Sequence, residues 1–147
     1  LGSAEATLVA ERTFDLCEYL MRLHKKGSLD TGFADRPAGS IAYHAPCHLR
    51  AQNKGLPGRD LMMLLPGAEV TVVEECSGVD GTWGMKAEYY DLSMKVAQKM
   101  FRGIESAAAD RVSTDCPLAA LRIAQGTGKE PLHPVEILRA AYPQAAP

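Results

Sequence analysis

Between residues 40 and 114, three short runs of β-forming residues alternate with stretches of helical periodicity. The runs are Ser40-Ile41-Ala42-Tyr43, Glu69-Val70-Thr71-Val72-Val73 and Asp110-Arg111-Val112-Ser113-Thr114. Strands joined by helical crossovers favour a parallel sheet covered on its faces, because each helix must bury its apolar stripe against the strands it connects. The expected fold is therefore a Rossmann-like α/β domain, a short parallel sheet flanked by helices.

The helical stretches read from the spacing of apolar residues. Over residues 5–26, Val9, Thr13, Leu16, Leu20 and Leu23 recur on one face, predicting an N-terminal amphipathic helix that needs a partner surface. Gly27 and the segment 32–39, with Pro37, then break the pattern as a linker. The expected division is residues 1–39 as N-terminal helix and linker, and 40–147 as the α/β domain. The opening Leu1-Gly2-Ser3 reads as a cut within a longer chain. Further helices are expected at 59–65, 118–124 and 134–141. A long one is expected over 83–106, with Met85, Tyr89, Leu92, Val96, Met100 and Ile104 facing inward. Its Lys86, Glu88, Asp91, Lys95, Lys99 and Arg102 then form a solvated outer face.

Composition narrows the functional classes. With 147 residues, 46% of them hydrophobic, the chain suits one globular domain with a real core. A net charge of −2 without a Lys/Arg block offers no grip on a phosphate backbone, so nucleic acid is not an expected partner. No stretch approaches the roughly 18 to 20 apolar residues of a membrane-spanning helix, and no secretory leader is evident; a cytoplasmic location is expected. Four cysteines are too few for a disulfide scaffold in a chain of this length, which leaves metal or redox chemistry.

Three of those cysteines follow the three strands. Cys47, Cys76 and Cys116 each lie a few residues beyond a predicted strand end. In a parallel sheet these ends share one edge, where open α/β sheets bind ligands, so the three thiols are expected to converge. Pro117 suits the first turn of a helix beginning after Cys116, a helix start is likewise expected after Cys76, and helix N-termini favour thiolates. Cys17, beside the apolar stripe of the first helix, reads as core. His44, His48, Asp80, Asp115 and, less naturally, Ser77 are candidates for a fourth ligand, since each adjoins a proposed one. His133, ahead of Pro134, reads as local support. Gly78, Gly81 and Gly84 fail the G-x-G-x-x-G spacing of a dinucleotide loop and read instead as letting backbone amides approach sulfur. Trp83 reads as an anchor of the long helix in the core.

Four segments carry a family resemblance in sequence order: Tyr43-His44-Ala45-Pro46-Cys47-His48-Leu49, Cys76-Ser77-Gly78-Val79-Asp80-Gly81-Thr82-Trp83-Gly84, Thr114-Asp115-Cys116-Pro117-Leu118-Ala119 and Leu132-His133-Pro134-Val135-Glu136-Ile137-Leu138. Together they resemble the cysteine-rich CCG domain of heterodisulfide reductase, anaerobic glycerol-3-phosphate dehydrogenase, glycolate oxidase and lactate-utilisation subunits, over roughly residues 40–142. The resemblance implies an iron-sulfur electron-transfer domain within a larger oxidoreductase, partnered by another domain or subunit, or by a second copy of the chain. The chain departs from the family pattern at Ser77 and Ala119, where two of its five cysteines would stand. The remaining three could hold an open iron-sulfur cluster of the 4Fe-4S kind or a zinc ion. The alternatives are a degenerate zinc-binding or metal-free scaffold, and a thiol-disulfide exchange module.

Overall fold

The computed structural model describes residues 2–143. In chain order the elements are α1 (Ala4–Arg12), α2 (Leu16–Lys25), β1 (Gly39–His44), α3 (Cys47–Ala51), α4 (Pro57–Met62), β2 (Ala68–Val73), α5 (Tyr90–Ser106), β3 (Arg111–Thr114), α6 (Pro117–Thr127) and α7 (Pro134–Ala141). Two 3₁₀ turns, Trp83–Met85 and Ala87–Tyr89, precede α5. The expected α/β architecture is present: a three-stranded parallel sheet in the order β2-β1-β3, flanked by helices.

The central strand explains the layering. Ile41 and Tyr43 point to one side of β1 and join Cys17, Leu61, Met62, Leu65, Ile137 and Leu138 in a core beneath α2, α4 and α7. Ala42 points to the other side and meets Val73, Ala97, Met100, Phe101, Ile104, Val112 and Ile123 beneath α5 and α6. A strand covered on both faces should read as a continuous apolar run, and β1 does from Ile41 to Tyr43. Each large apolar side chain fully buried here contributes about 1.5–3 kcal/mol relative to exposure.

Four expectations need correction. The helix expected over 5–26 is two helices. Asp15 accepts from the amides of Cys17 and Glu18 and caps α2, while the Thr13 hydroxyl bonds back to the Val9 carbonyl at 2.7 Å and closes α1. α1 buries no residue, so the apolar stripe belongs to α2 alone. On the long helix the inward face is Ser93, Ala97, Met100, Phe101 and Ile104, whereas Met85, Tyr89, Leu92 and Val96 are exposed. The reason is close approach: the Ser93 hydroxyl donates to the Gly78 carbonyl at 2.7 Å, and a bulky residue at 93 would hold α5 away from that loop. The segment before Tyr90 is 3₁₀, not α-helix, and Trp83 lies half-buried, stacked on Tyr89 at 5.0 Å rather than set in the core. Finally, no α-helix starts after Cys76, where the chain runs as a loop, whereas a short helix that sequence periodicity missed, α3, starts at Cys47.

Candidate metal centre at the sheet edge

Strand register fixes where the three cysteines fall. His44, the last residue of β1, pairs with Val73, the last of β2, and with Thr114, the last of β3. From this common row Cys47 lies three residues on, Cys76 three and Cys116 two. All three therefore leave the carboxyl edge of the sheet, where parallel strands present their ligands. Cys47 opens α3 and is exposed, Cys76 sits in the loop after β2 and is exposed, and Cys116 is the half-buried N-cap of α6.

Two of the sulfurs receive backbone amides. Gly78 N–H donates to Cys76 Sγ at 3.3 Å, and Ala119 N–H donates to Cys116 Sγ at 3.5 Å. These amides, and the N-terminal dipole of α6 behind Cys116, place positive partial charge beside the two sulfurs. Gly78 reaches Cys76 from a positive φ of 70°, and a Cβ there would run into the Ser93 carbonyl, so only glycine fits. Ala119, at the place of a family cysteine, is packed at 1% exposure, and Ser77 is half-buried.

His44 braces two of the cysteine turns. Its buried ring lies 3.0 Å through Nε2 from the Glu75 carbonyl and 3.1 Å through Nδ1 from the Thr114 hydroxyl. A carbonyl only accepts, so Nε2 carries the proton and Nδ1 accepts from Thr114. Thr114 Oγ1 in turn accepts from Cys116 N–H at 3.4 Å. The strut thus runs from the residue before Cys76 to the amide of Cys116, with both ring nitrogens occupied. Burial lowers the His44 pKa and keeps the ring neutral, the Glu75 carbonyl opposing it more weakly. His48 is exposed on α3, and Asp80 is exposed at a positive φ of 45° in the loop after Cys76.

A second cluster forms around Asp115. The Cys17 thiol donates to Asp115 Oδ1 at 3.3 Å, and the Tyr43 hydroxyl donates to Asp115 Oδ2. Cys17 is buried, as its place on the helix predicts. Burial raises the pKa of its thiol, reinforced by the Asp115 charge. Burial likewise raises that of Tyr43, reinforced by its bond to Asp115, so both groups remain neutral donors. His133 is delivered to the same place because Leu132 bridges Ser113 in parallel and extends the sheet by one residue. It caps α7 by accepting from Val135 N–H at 3.2 Å, while Glu136 accepts from His133 N–H at 2.8 Å. Cys17, Asp115 and His133 have donor atoms within 4.8 Å of one another, and among the described residues they are the group of three ligand-type side chains that meets this distance. Cys47, Cys76 and Cys116 share an edge without meeting it. Sequence alone carried no signal for a contact between residues 98 positions apart such as Cys17 and Asp115.

The loop from Cys76 to α5 is pinned by a residue that sequence reading passed over. Arg122 of α6, 2% exposed, donates through one terminal nitrogen to the Gly84 carbonyl at 2.7 Å, and its guanidinium lies 5.2 Å from the Tyr90 ring centre.

The family model described as CCG: Cysteine-rich domain matches residues 41–123. A subunit of the anaerobic glycerol-3-phosphate dehydrogenase of Escherichia coli strain K12 is 36% identical to the chain over 102 residues, covering 69% of this chain and 26% of that protein. The protein of the same name from Escherichia coli O157:H7 gives the same identity and coverage. The chain thus spans about a quarter of the length of these relatives. No helix among the described residues is long and apolar enough to cross a membrane.

Proposed function

Because the chain belongs to the CCG cysteine-rich domain family, we propose that it binds an iron-sulfur cluster and relays electrons within an oxidoreductase of the anaerobic glycerol-3-phosphate dehydrogenase type. The observation that carries this reading is the repeated placement of Cys47, Cys76 and Cys116 just past three register-aligned strand ends. The donor set fits such a group: three free thiols on one edge, two of them already facing backbone amides. A bound cluster would supply one-electron chemistry, and the chain supplies everything else. Cys47, Cys76 and Cys116 hold the group as thiolates. The Gly78 and Ala119 amides offset their negative charge, which raises a reduction potential relative to bare thiolates.

His44 acts as a positioning residue that holds the Cys76 and Cys116 turns at a fixed separation, since both its nitrogens are spent on protein partners. His48 and Asp80 are the exposed side chains available to a fourth coordination position. With Ala119 and Ser77 in place of two family thiols, the site is open, and other subunits of the complex, or a second copy of the chain, are the partners that close it. The four free thiols suit the reducing cytoplasm, where we place the protein.

Anaerobic reconstitution with ferrous iron and sulfide tests the assignment. Serine at Cys47, Cys76 or Cys116 should each lower cluster retention severalfold, whereas Cys17→Ser should leave it unchanged. Equal retention in all four variants would remove the three-cysteine site; zinc uptake without sulfide that is lost when Cys47, Cys76 and Cys116 are changed to serine would favour a scaffold domain in its place.

A further inference from the structure

We propose that Cys17, Asp115 and His133 form a second metal site, specific for zinc-like divalent ions, that clasps α2 and α7 to the turn between β3 and α6. The three side chains come from elements far apart in sequence, and two of them, Cys17 and His133, lie outside residues 41–123. They offer one sulfur, one oxygen and one nitrogen, a mixed donor set that suits zinc better than the all-oxygen preference of calcium or magnesium.

For the Cys17 and Asp115 donors the geometry is close to what an ion would impose. Zinc–sulfur and zinc–oxygen bonds of about 2.3 and 2.0 Å at a tetrahedral angle place the two donors about 3.5 Å apart. Cys17 Sγ and Asp115 Oδ1 lie 3.3 Å apart. The other carboxylate oxygen is held by the Tyr43 hydroxyl, the outer-sphere support that ligating carboxylates commonly receive. Cys17 and Tyr43 are fully buried, whereas Asp115 and His133 are half-buried, so the ion would be reached from their side and water would complete its coordination.

Binding has a definite proton balance. The Cys17 thiol releases its proton to solvent as the zinc–sulfur bond forms, Asp115 binds as carboxylate, His133 binds as neutral imidazole, and no electron moves. The His133 ring now accepts from Val135 N–H at Nδ1, so its proton sits on Nε2. An ion at Nδ1 replaces the Val135 amide, and an ion at Nε2 requires the ring proton to shift to Nδ1, so in either case that cap is given up. The reciprocal bond from His133 N–H to Glu136 remains and keeps α7 started.

The test uses the full chain with Cys47, Cys76 and Cys116 all changed to serine, which leaves Cys17 as its sole thiol and makes the result independent of the proposed cluster. Cobalt(II) added to this folded variant should give a thiolate-to-cobalt charge-transfer band at one equivalent. His133→Asn, which retains a helix cap, should weaken cobalt binding by more than about tenfold. Absence of the band in the folded variant overturns the proposal. Should the triple variant not fold, zinc titration of the unaltered chain decides: His133→Asn is expected to bind one equivalent fewer, and an equal stoichiometry overturns the site.

Discussion

Replacing Tyr43 by Phe isolates one bond at the centre of the molecule. The ring lies in the core at 0% exposure, and Phe preserves its shape, so the change removes the hydroxyl donated to Asp115 Oδ2 and little else. A hydrogen bond to a charged partner contributes about 1.5–3 kcal/mol. Asp115 is only half-buried, so water can partly replace the lost donor, and the lower part of that range, about 1.5–2 kcal/mol, is expected. At about 2.1 cal/mol/K per residue over the chain, this corresponds to a fall in Tm of about 5–7 °C. Urea unfolding should show a lower midpoint with an unchanged slope, because no additional surface is exposed. Combining Tyr43→Phe with Cys17→Ala should depart from the sum of the single effects by about 0.5 kcal/mol or more, since both donors share one carboxylate. A loss below about 0.5 kcal/mol together with strict additivity would refute the view that Asp115 organises this cluster.

Gly84→Ala would place a Cβ against the Ser93 hydroxyl and the Gly78 carbonyl, and should destabilise the chain by about 1–3 kcal/mol in urea unfolding while loosening the loop that carries Cys76. His44 makes stability depend on pH. Its folded pKa lies below the unfolded value of 6.5, so the unfolded chain binds the extra proton and stability falls as pH drops below about 6.5. His44→Gln should flatten that part of the profile, which urea midpoints measured between about pH 5 and pH 7.5 would report.

How much of this was legible in the sequence follows from the range of the interactions. β-branched runs gave the strands, and Pro117 and Pro134 marked the first turns of α6 and α7, because these are local preferences of one or two residues. The placement of Cys47, Cys76 and Cys116 was legible for the same reason: parallel strands impose a common edge without any need to know side-chain contacts. On α5, Met100 and Ile104 face inward as the spacing indicates, but the first half of the face was not legible, because Leu92 and Val96 are exposed while small Ser93 and Ala97 face a loop that comes very near. Nor was the break at Asp15, where a capping side chain overrides an otherwise continuous helical period. The pairing of Cys17 with Asp115 depends on how α2 lies across the end of the sheet, and no spacing in the chain encodes that directly.

The most direct test of the electron-transfer reading is metal and acid-labile sulfide analysis, with an absorption spectrum, on the chain purified without oxygen. Iron and sulfide in comparable amounts, with broad visible absorption that bleaches on reduction, are the expected result. A chain that holds neither iron nor sulfide under these conditions would contradict an iron-sulfur site at Cys47, Cys76 and Cys116.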